Sequence, residues 1–262
     1  MHPILIEWGY LIVPAWHAFF ALGAISAYFF LVFLAKRHFP NLQERDLNIL
    51  FIVSYLGGYF GARFFSILVD QEIYLPFEVM KELAVLGPMT FYGGMLGSFV
   101  AGLAYCVKRK LPIIDLADIC FLCGILGLCL GRIGCFLNGD DYGVAVLNQL
   151  PTPWWAVTFP NHPNQIPRVP VQLIESILAA IIVLGFSFGF KKLREEFFPG
   201  IIALGVVSSY AVLRFFLEYL RGDPRGWVIE PIISTSQGIS ICILIVAIFI
   251  FARALTKSAH KS

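Results

Sequence analysis

Seven apolar runs, near 14–35, 47–68, 89–107, 113–135, 171–190, 200–220 and 231–252, constrain this chain more than any other feature. Each is long enough, or nearly so, to cross the roughly 30 Å hydrocarbon core of a bilayer. Segments in lipid must satisfy their backbone internally, so the runs are read as helices. The charged fraction is 14% and the mean hydropathy +0.79, against about 25% charged residues in soluble domains. The expected fold is an all-α polytopic membrane protein with seven transmembrane helices, forming one integral membrane domain over residues 1–262. The net charge of +2 gives no sign of nucleic-acid binding. The six cysteines lie within or at the ends of apolar runs. Cys120 and Cys123 form a CxxC without a second ligand pair, so they are read as small core residues rather than a zinc or redox site. No metal or organic cofactor is expected. The first residues carry no basic stretch ahead of an apolar one, so no cleaved signal peptide is expected.

Loop charge sets an orientation. Lys36, Arg37 and Arg45 follow the first run, Lys108, Arg109 and Lys110 the third, Lys191, Lys192 and Arg194 the fifth, and Arg253, Lys257 and Lys261 the seventh. The other loops hold Lys81, Arg168, Arg221 and Arg225, a bias of twelve to four. By the positive-inside rule the N-terminus is outside and the C-terminus cytoplasmic. The first thirteen residues, apolar apart from His2 and Glu7, are then expected on the outer surface. In the outer loop 70–88, Phe77, Met80, Leu83 and Ala84 recur at helical spacing and predict an interfacial helix. The loop 136–170 carries Trp154 and Trp155, which suit a headgroup-level anchor. Gly57xxxGly61 and Gly93xxxGly97 read as small residues for close helix packing in preference to a transporter repeat.

With that orientation, a rise of about 1.5 Å per residue gives each polar residue a depth. His17, Arg63, Tyr92, Arg132, Gln172, Glu175, Arg214, Glu218, Arg221, Glu230 and Gln237 all fall in the outer half, while the inner half holds mainly Asp115 and Asp118. Arg214, Glu218 and Arg221, at i, i+4 and i+7, are expected on one face of the sixth span. Arginine in a membrane is costly and needs a partner or a task. Polar groups drawn from every span predict a shared cavity open to the outer leaflet. Three arginines against one or two carboxylates would leave it cationic, and an anionic phosphate headgroup is its natural ligand.

The stretch Gly131-Arg132-Ile133-Gly134-Cys135-Phe136-Leu137-Asn138-Gly139-Asp140-Asp141-Tyr142-Gly143 resembles the Gly-Arg-x-Gly-Asn-Phe-x-Asn-x-Glu-x-x-Gly motif of the prolipoprotein diacylglyceryl transferase family. It departs from that motif at Cys135 for Asn and at Asp140 for Glu. The resemblance extends through 61–68 (GARFFSIL), 91–97 (FYGGMLG, with Tyr92 for the family's His), 155–160, 169–176, 214–223 and 234–240. It implies transfer of the sn-1,2-diacylglyceryl group of phosphatidylglycerol to the lipobox cysteine of prolipoproteins, at the outer leaflet of the bacterial cytoplasmic (inner) membrane. The implied partners are phosphatidylglycerol, the prolipoprotein signal peptide and membrane lipid.

Carried over residue by residue, the resemblance makes Arg132 and Arg214 the holders of the phosphoglycerol headgroup, within a binding set that includes Arg63, Gln172 and Arg221. Asn138, Asp140 and Gly143 shape the adjoining loop, and Glu218 orients Arg214 or Arg221. The family's Trp-Tyr in the first span and its His before Gly-Gly in the third read here as Trp16-His17 and Tyr92-Gly93-Gly94. The His and Tyr stand exchanged, which makes His17, directly or through Tyr92, the expected base, with Asp140 or thiolate stabilisation by the arginines as alternatives. The same departures leave open a diverged paralogue with another lipid or acceptor. A lipid-binding or transport protein using the same pocket is the rival class, although one-sided polar residues argue against a translocation path.

Overall fold

Among the described residues, two antiparallel apolar ribbons and eight helices make up the fold. The computed structural model describes residues 3–8, 11–69, 75–83, 87, 89–147, 151–159, 164–224 and 226–259. His2, Ala84, Arg225 and Lys261, used in the topology reading, lie outside these residues, as does the side chain of Lys257. The elements run β1 (Ile4–Trp8), β2 (Leu11–Pro14), α1 (Ala15–His38), α2 (Glu44–Val69), α3 (Pro76–Leu83), α4 (Phe91–Arg109), α5 (Ile113–Asn138), α6 (Val171–Glu196), α7 (Ile201–Leu217), β3 (Trp227–Ile229), β4 (Ile233–Ser234) and α8 (Thr235–Ala259). A 3-10 turn, Glu218–Leu220, extends α7.

Among the described residues, six helices are long and apolar enough to cross a membrane: α1, α2, α5, α6, α7 with its extension, and α8. The third expected span does form a helix, α4, of 19 residues, but it is not one of the six. Gly93, Gly94, Gly97 and Gly102 together with Tyr92 and Tyr105 dilute its apolar character.

Two local expectations are corrected. The last helix begins at Thr235, so Glu230 falls before β4 rather than in a span. Its start is set by a reciprocal cap: the Gln237 amide N–H donates to Ser234 Oγ at 3.2 Å, and the Ser234 amide N–H donates to Gln237 Oε1 at 3.1 Å. Arg221 likewise leaves the helical face predicted for it. The helix tightens at Glu218, and Arg221 is extended (φ −83°, ψ 142°) ahead of Gly222 and Pro224, residues that do not continue a helix.

Packing divides the chain into two compact units, Met1–Phe30 with Ala117–Ser262, and Leu31–Leu116. In the second, α2 and α4 lie antiparallel with the two GxxxG motifs face to face. A Cβ on Gly61, Gly93 or Gly97 would collide with the carbonyl oxygen of Gly93, Gly61 or Gly57 across the contact. The motifs therefore serve close packing, sealed by Ser98 Oγ donating to the Ser54 carbonyl at 2.9 Å. At the other end of the pair, Tyr105 and Arg109 both donate to Asp46, at 2.8 and 3.2 Å. The helix expected in the loop 70–88 is α3, whose Phe77 and Met80 are exposed.

In the first unit the helices alternate in direction. Gly23 of α1 faces Gly127 of α5, and Gly134 of α5 takes the Trp16 backbone against its open side. The Cys129 Sγ of α5 lies 3.2 Å from the Ser176 carbonyl, and Ser176 Oγ donates back to the Cys129 carbonyl at 2.8 Å. The ribbon β1–β2, with Ile6 opposite Val13 and Glu7 opposite Ile12, exposes Ile4, Leu5, Ile6, Trp8 and Ile12. That surface is at home in the headgroup region of a bilayer rather than in water.

Candidate active site

Polar side chains of the first unit converge where α5, α6, α7 and α8 share one end. The α5 helix stops at Gly139, whose φ of +89° is a conformation that side-chain-bearing residues rarely adopt. The Gly139 and Asp140 amides both donate back to the Cys135 carbonyl, at 2.9 and 3.1 Å. Beyond the stop, the loop is pinned as a short strand. Gly143 bridges Arg221, its amide N–H donates to the Val169 carbonyl at 3.2 Å, and Val144 donates to the Leu220 carbonyl at 2.9 Å. A Cβ at Gly143 would collide with the Val169 carbonyl, so this crossing excludes larger residues. Arg168 donates to the Gly143 carbonyl at 3.2 Å with its guanidinium 4.5 Å from the Tyr142 ring centre, a cation–π contact that holds the loop from above.

Arg132 sits nearly two helical turns before the α5 stop and reaches two carboxylates with two nitrogens. Its Nη1 donates to Asp141 Oδ2 at 2.5 Å, and its Nη2 lies 2.7 Å from Glu175 Oε2 of α6. The second contact is an ion pair without linear hydrogen-bond alignment, and Arg132 Nε is buried with no acceptor among the described residues. Glu175 also accepts from the Tyr210 hydroxyl of α7 at 2.8 Å, and Tyr210 is within electrostatic range of both Arg132 and Arg214. One turn beyond Tyr210, Arg214 pairs with Glu218 at 3.1 Å and donates to Ser236 Oγ of α8 at 3.1 Å. Arg221 donates to Asp223 at 3.0 and 2.9 Å and to Asp141 Oδ1 at 2.5 Å. Burial alone would raise the Asp141 carboxyl, but the Arg132 and Arg221 guanidiniums outweigh it and hold the group below the usual carboxylate range. Its ion pairs therefore stabilise the folded chain fully above the unfolded carboxylate value, about 3.9, and are lost only as pH falls through the lower folded value.

Of the expected residues, Arg132, Arg214, Arg221, Glu218, Gln172, Asn138, Asp140 and Gly143 all belong to this region. Gln172 Nε2 donates to the Asp140 carbonyl at 2.6 Å, and Asn138 donates to the Asp140 carboxylate. Asp140 thus ties its own loop together, while its neighbour Asp141 meets the arginines. His17 is exposed near the start of α1, its ring edge-on to Trp16 with centroids 5.1 Å apart. Arg63 and Tyr92 belong to the other unit. There Arg63 is 1% exposed and donates to the Glu82 carbonyl at 2.9 Å and carboxylate at 3.2 Å, tying α3 to α2. Asp141, Tyr210, Asp223, Arg168 and Ser236 were not singled out from the sequence. Asp141 carried the one usable signal, a second carboxylate directly after the α5 stop.

The sequence profile of the prolipoprotein diacylglyceryl transferase family matches residues 3–253. The chain belongs to that family. It is 32% identical over 252 residues to the phosphatidylglycerol–prolipoprotein diacylglyceryl transferase of Clostridium tetani (strain Massachusetts / E88), covering 96% of this chain and 97% of that one. Relatives of the same name in Geobacter sulfurreducens and Bradyrhizobium diazoefficiens are each 31% identical, covering 84% of this chain and 82% and 77% of theirs. Family membership together with several long apolar helices makes this a multi-pass membrane protein. As a prolipoprotein diacylglyceryl transferase family member, it differs from the sequence expectation in charge. Arg132, Arg214 and Arg221 are met by Asp141, Glu175, Glu218 and Asp223, so the cluster is compensated rather than cationic. Buried guanidiniums without counter-ions would be far costlier, which gives the compensation its physical reason.

Proposed function

We propose that the protein transfers the sn-1,2-diacylglyceryl group of phosphatidylglycerol to the lipobox cysteine thiol of prolipoproteins, the first step of bacterial lipoprotein maturation. The convergence of Arg132, Arg214 and Arg221 on one end of the helices supports this reading most directly, in a chain whose relatives carry that activity in their names. In the reaction the glyceryl carbon–oxygen bond to phosphate breaks and a carbon–sulfur bond forms. The thiol proton passes to a base and glycerol phosphate leaves. Arg132 and Arg214, with Arg221 in the same binding set, hold the phosphate and stabilise the charge that grows on it as the ester departs. Gln172, Asn138, Asp140 and Gly143 keep the adjoining loop in place. Glu218 orients Arg214, and Arg63 acts from α2 by fixing the segment that follows it. His17 takes the thiol proton. No cofactor enters this scheme.

Incubating the purified protein with phosphatidylglycerol vesicles and a lipobox peptide should yield a thioether-linked diacylglyceryl peptide, read as a mass gain. No product from a folded, lipid-bound protein would reject transfer and leave a lipid-binding paralogue. Under the same conditions His17→Gln should lose most turnover, and full activity in that variant would reject His17 as the base.

We further infer that α4 is a seventh span, that the N-terminus is outside and the C-terminus cytoplasmic, and that the arginine cluster faces the outer leaflet of the inner membrane. The twelve-to-four loop bias supports this orientation. Reporter fusions after Lys110 and Lys192 should read cytoplasmic, and one near Trp154 should read outside. A cytoplasmic reading at Trp154 would overturn the orientation.

A further inference from the structure

The arginine cluster holds two kinds of carboxylate. Glu175 and Asp223 have 2% and 17% of their side-chain surface exposed, whereas Asp141 has 36%. Glu175 stands on a membrane helix with a second bond to Tyr210, and Asp223 grips Arg221 through both of its oxygens. Asp141 stands on the loop beyond α5, with a left-handed backbone (φ 55°), and gives one oxygen to each of two arginines from distant parts of the chain. If Asp141 swung away, Arg132 would still be held by Glu175 and Arg221 by Asp223.

We propose that Asp141 is an exchangeable stand-in for the substrate phosphate, occupying the Arg132–Arg221 pair until a lipid headgroup displaces it. The idea rests on the transferase reading and adds to it the way the empty site is kept and the way product leaves. A phosphodiester offers one negative charge and two non-bridging oxygens, the same count as a carboxylate, so it can take over both guanidinium contacts. The swap leaves the charge at the site unchanged, and the buried guanidiniums are never left without an anion. The leaving glycerol phosphate is a monoester with a higher charge than the lipid it came from. It would stay bound to paired guanidiniums, and the return of Asp141 competes it away.

The consequence is a split that a merely structural loop contact would not produce. Asp141→Asn removes the competing charge while keeping the side chain's shape. Its KM for phosphatidylglycerol and its inhibition constant for glycerol phosphate should each fall about tenfold, and kcat should fall as product release slows. The direct test uses inorganic phosphate as probe, titrated into the purified full-length protein in detergent and followed calorimetrically. Asp141→Asn and Asp141→Ala should bind phosphate about tenfold more tightly than wild type, and Asp141→Glu close to wild type. Phosphate should also raise the thermal midpoint of Asp141→Asn more than that of wild type. Unchanged or weaker phosphate binding in both Asp141→Asn and Asp141→Ala would overturn the proposal and leave Asp141 a loop fastener. Phosphate binding needs no peptide acceptor, so these results stand apart from the transfer assay. Tighter phosphate binding in variants of a protein that fails to transfer would uphold the exchange and reject the transferase reading alone.

Discussion

Arg132→Ala is expected to lower turnover by about two to three orders of magnitude, the loss typical of removing a charge-stabilising donor from a protected site. Arg132→Lys should fail nearly as badly. The guanidinium uses Nη1 for Asp141 on the loop and Nη2 for Glu175 on α6. A lysine ammonium is a single nitrogen at the end of a flexible stem and cannot span those two carboxylates in a fixed geometry. Stability should fall with activity, because Glu175 is 2% exposed and, among the described residues, would keep the Tyr210 hydroxyl in place of an ion pair. Stripping one partner from a buried ion pair costs about 3–5 kcal/mol. Arg132→Ala with Glu175→Gln should recover a large part of that stability and none of the turnover. The check is a denaturation midpoint in detergent beside the thioether assay. Wild-type turnover in Arg132→Lys would mean that a point charge suffices at this position.

How far the sequence already disclosed this site depended on distance along the chain. Apolar runs are local, so the helices could be read from composition, including the start of α5 after Pro112, although α5 runs past the expected end at 135 to Asn138. The glycines of α2 and α4 were readable as contact surfaces because a GxxxG spacing places them on one face, and the structure pairs those faces. Depth counting brought Arg132, Glu175, Arg214 and Glu218 to one level without any contact being known. It failed at Arg221, because helical spacing carries information only while the helix lasts, and α7 ends at Leu217. It could not choose Asp141 over Asp140 either. The two are adjacent, and the choice is made by Arg221, a residue 80 positions away. Charge was misjudged for the same reason: Asp141 and Asp223 lie beyond helix ends, where a depth count assigns no place. The ribbon β1–β2 was read only as an apolar surface segment, since its strands pair with each other and bury no core that would pattern them.

At the opposite end of α5, Asp118→Ala is expected to be the most destabilising single change in the helices of this unit. Asp118 is fully buried and accepts from three donors of other elements: Arg194 near the end of α6, the Gly200 amide at 2.9 Å and the Ala203 amide at 2.8 Å. The α7 helix starts behind Gly200, which has no side chain to cap it, so a carboxylate from α5 satisfies amides that the helix itself cannot. Its negative charge also sits at the positive end of the α7 dipole. Alanine would take this carboxylate away from the largely buried Arg194 guanidinium and leave two amides without their acceptor, a loss of about 3–5 kcal/mol. Asp118→Asn keeps one acceptor oxygen and should fall between alanine and wild type. Asp118→Ala with Arg194→Met should regain what the broken Arg194 ion pair costs, but not what the amides cost. The loss should reach the chemistry as well. Asp118 fixes α5 against α7 at one end of helices that carry Arg132 and Arg214 at the other, about 21 Å away along α5 at 1.5 Å per residue. In detergent, the four proteins should rank wild type, Asn, double variant, Ala by unfolding midpoint, with turnover falling in the same order. An Asp118→Ala protein as stable as Asp118→Asn would show that the α7 amides find water or another acceptor, and that α5 does not cap α7.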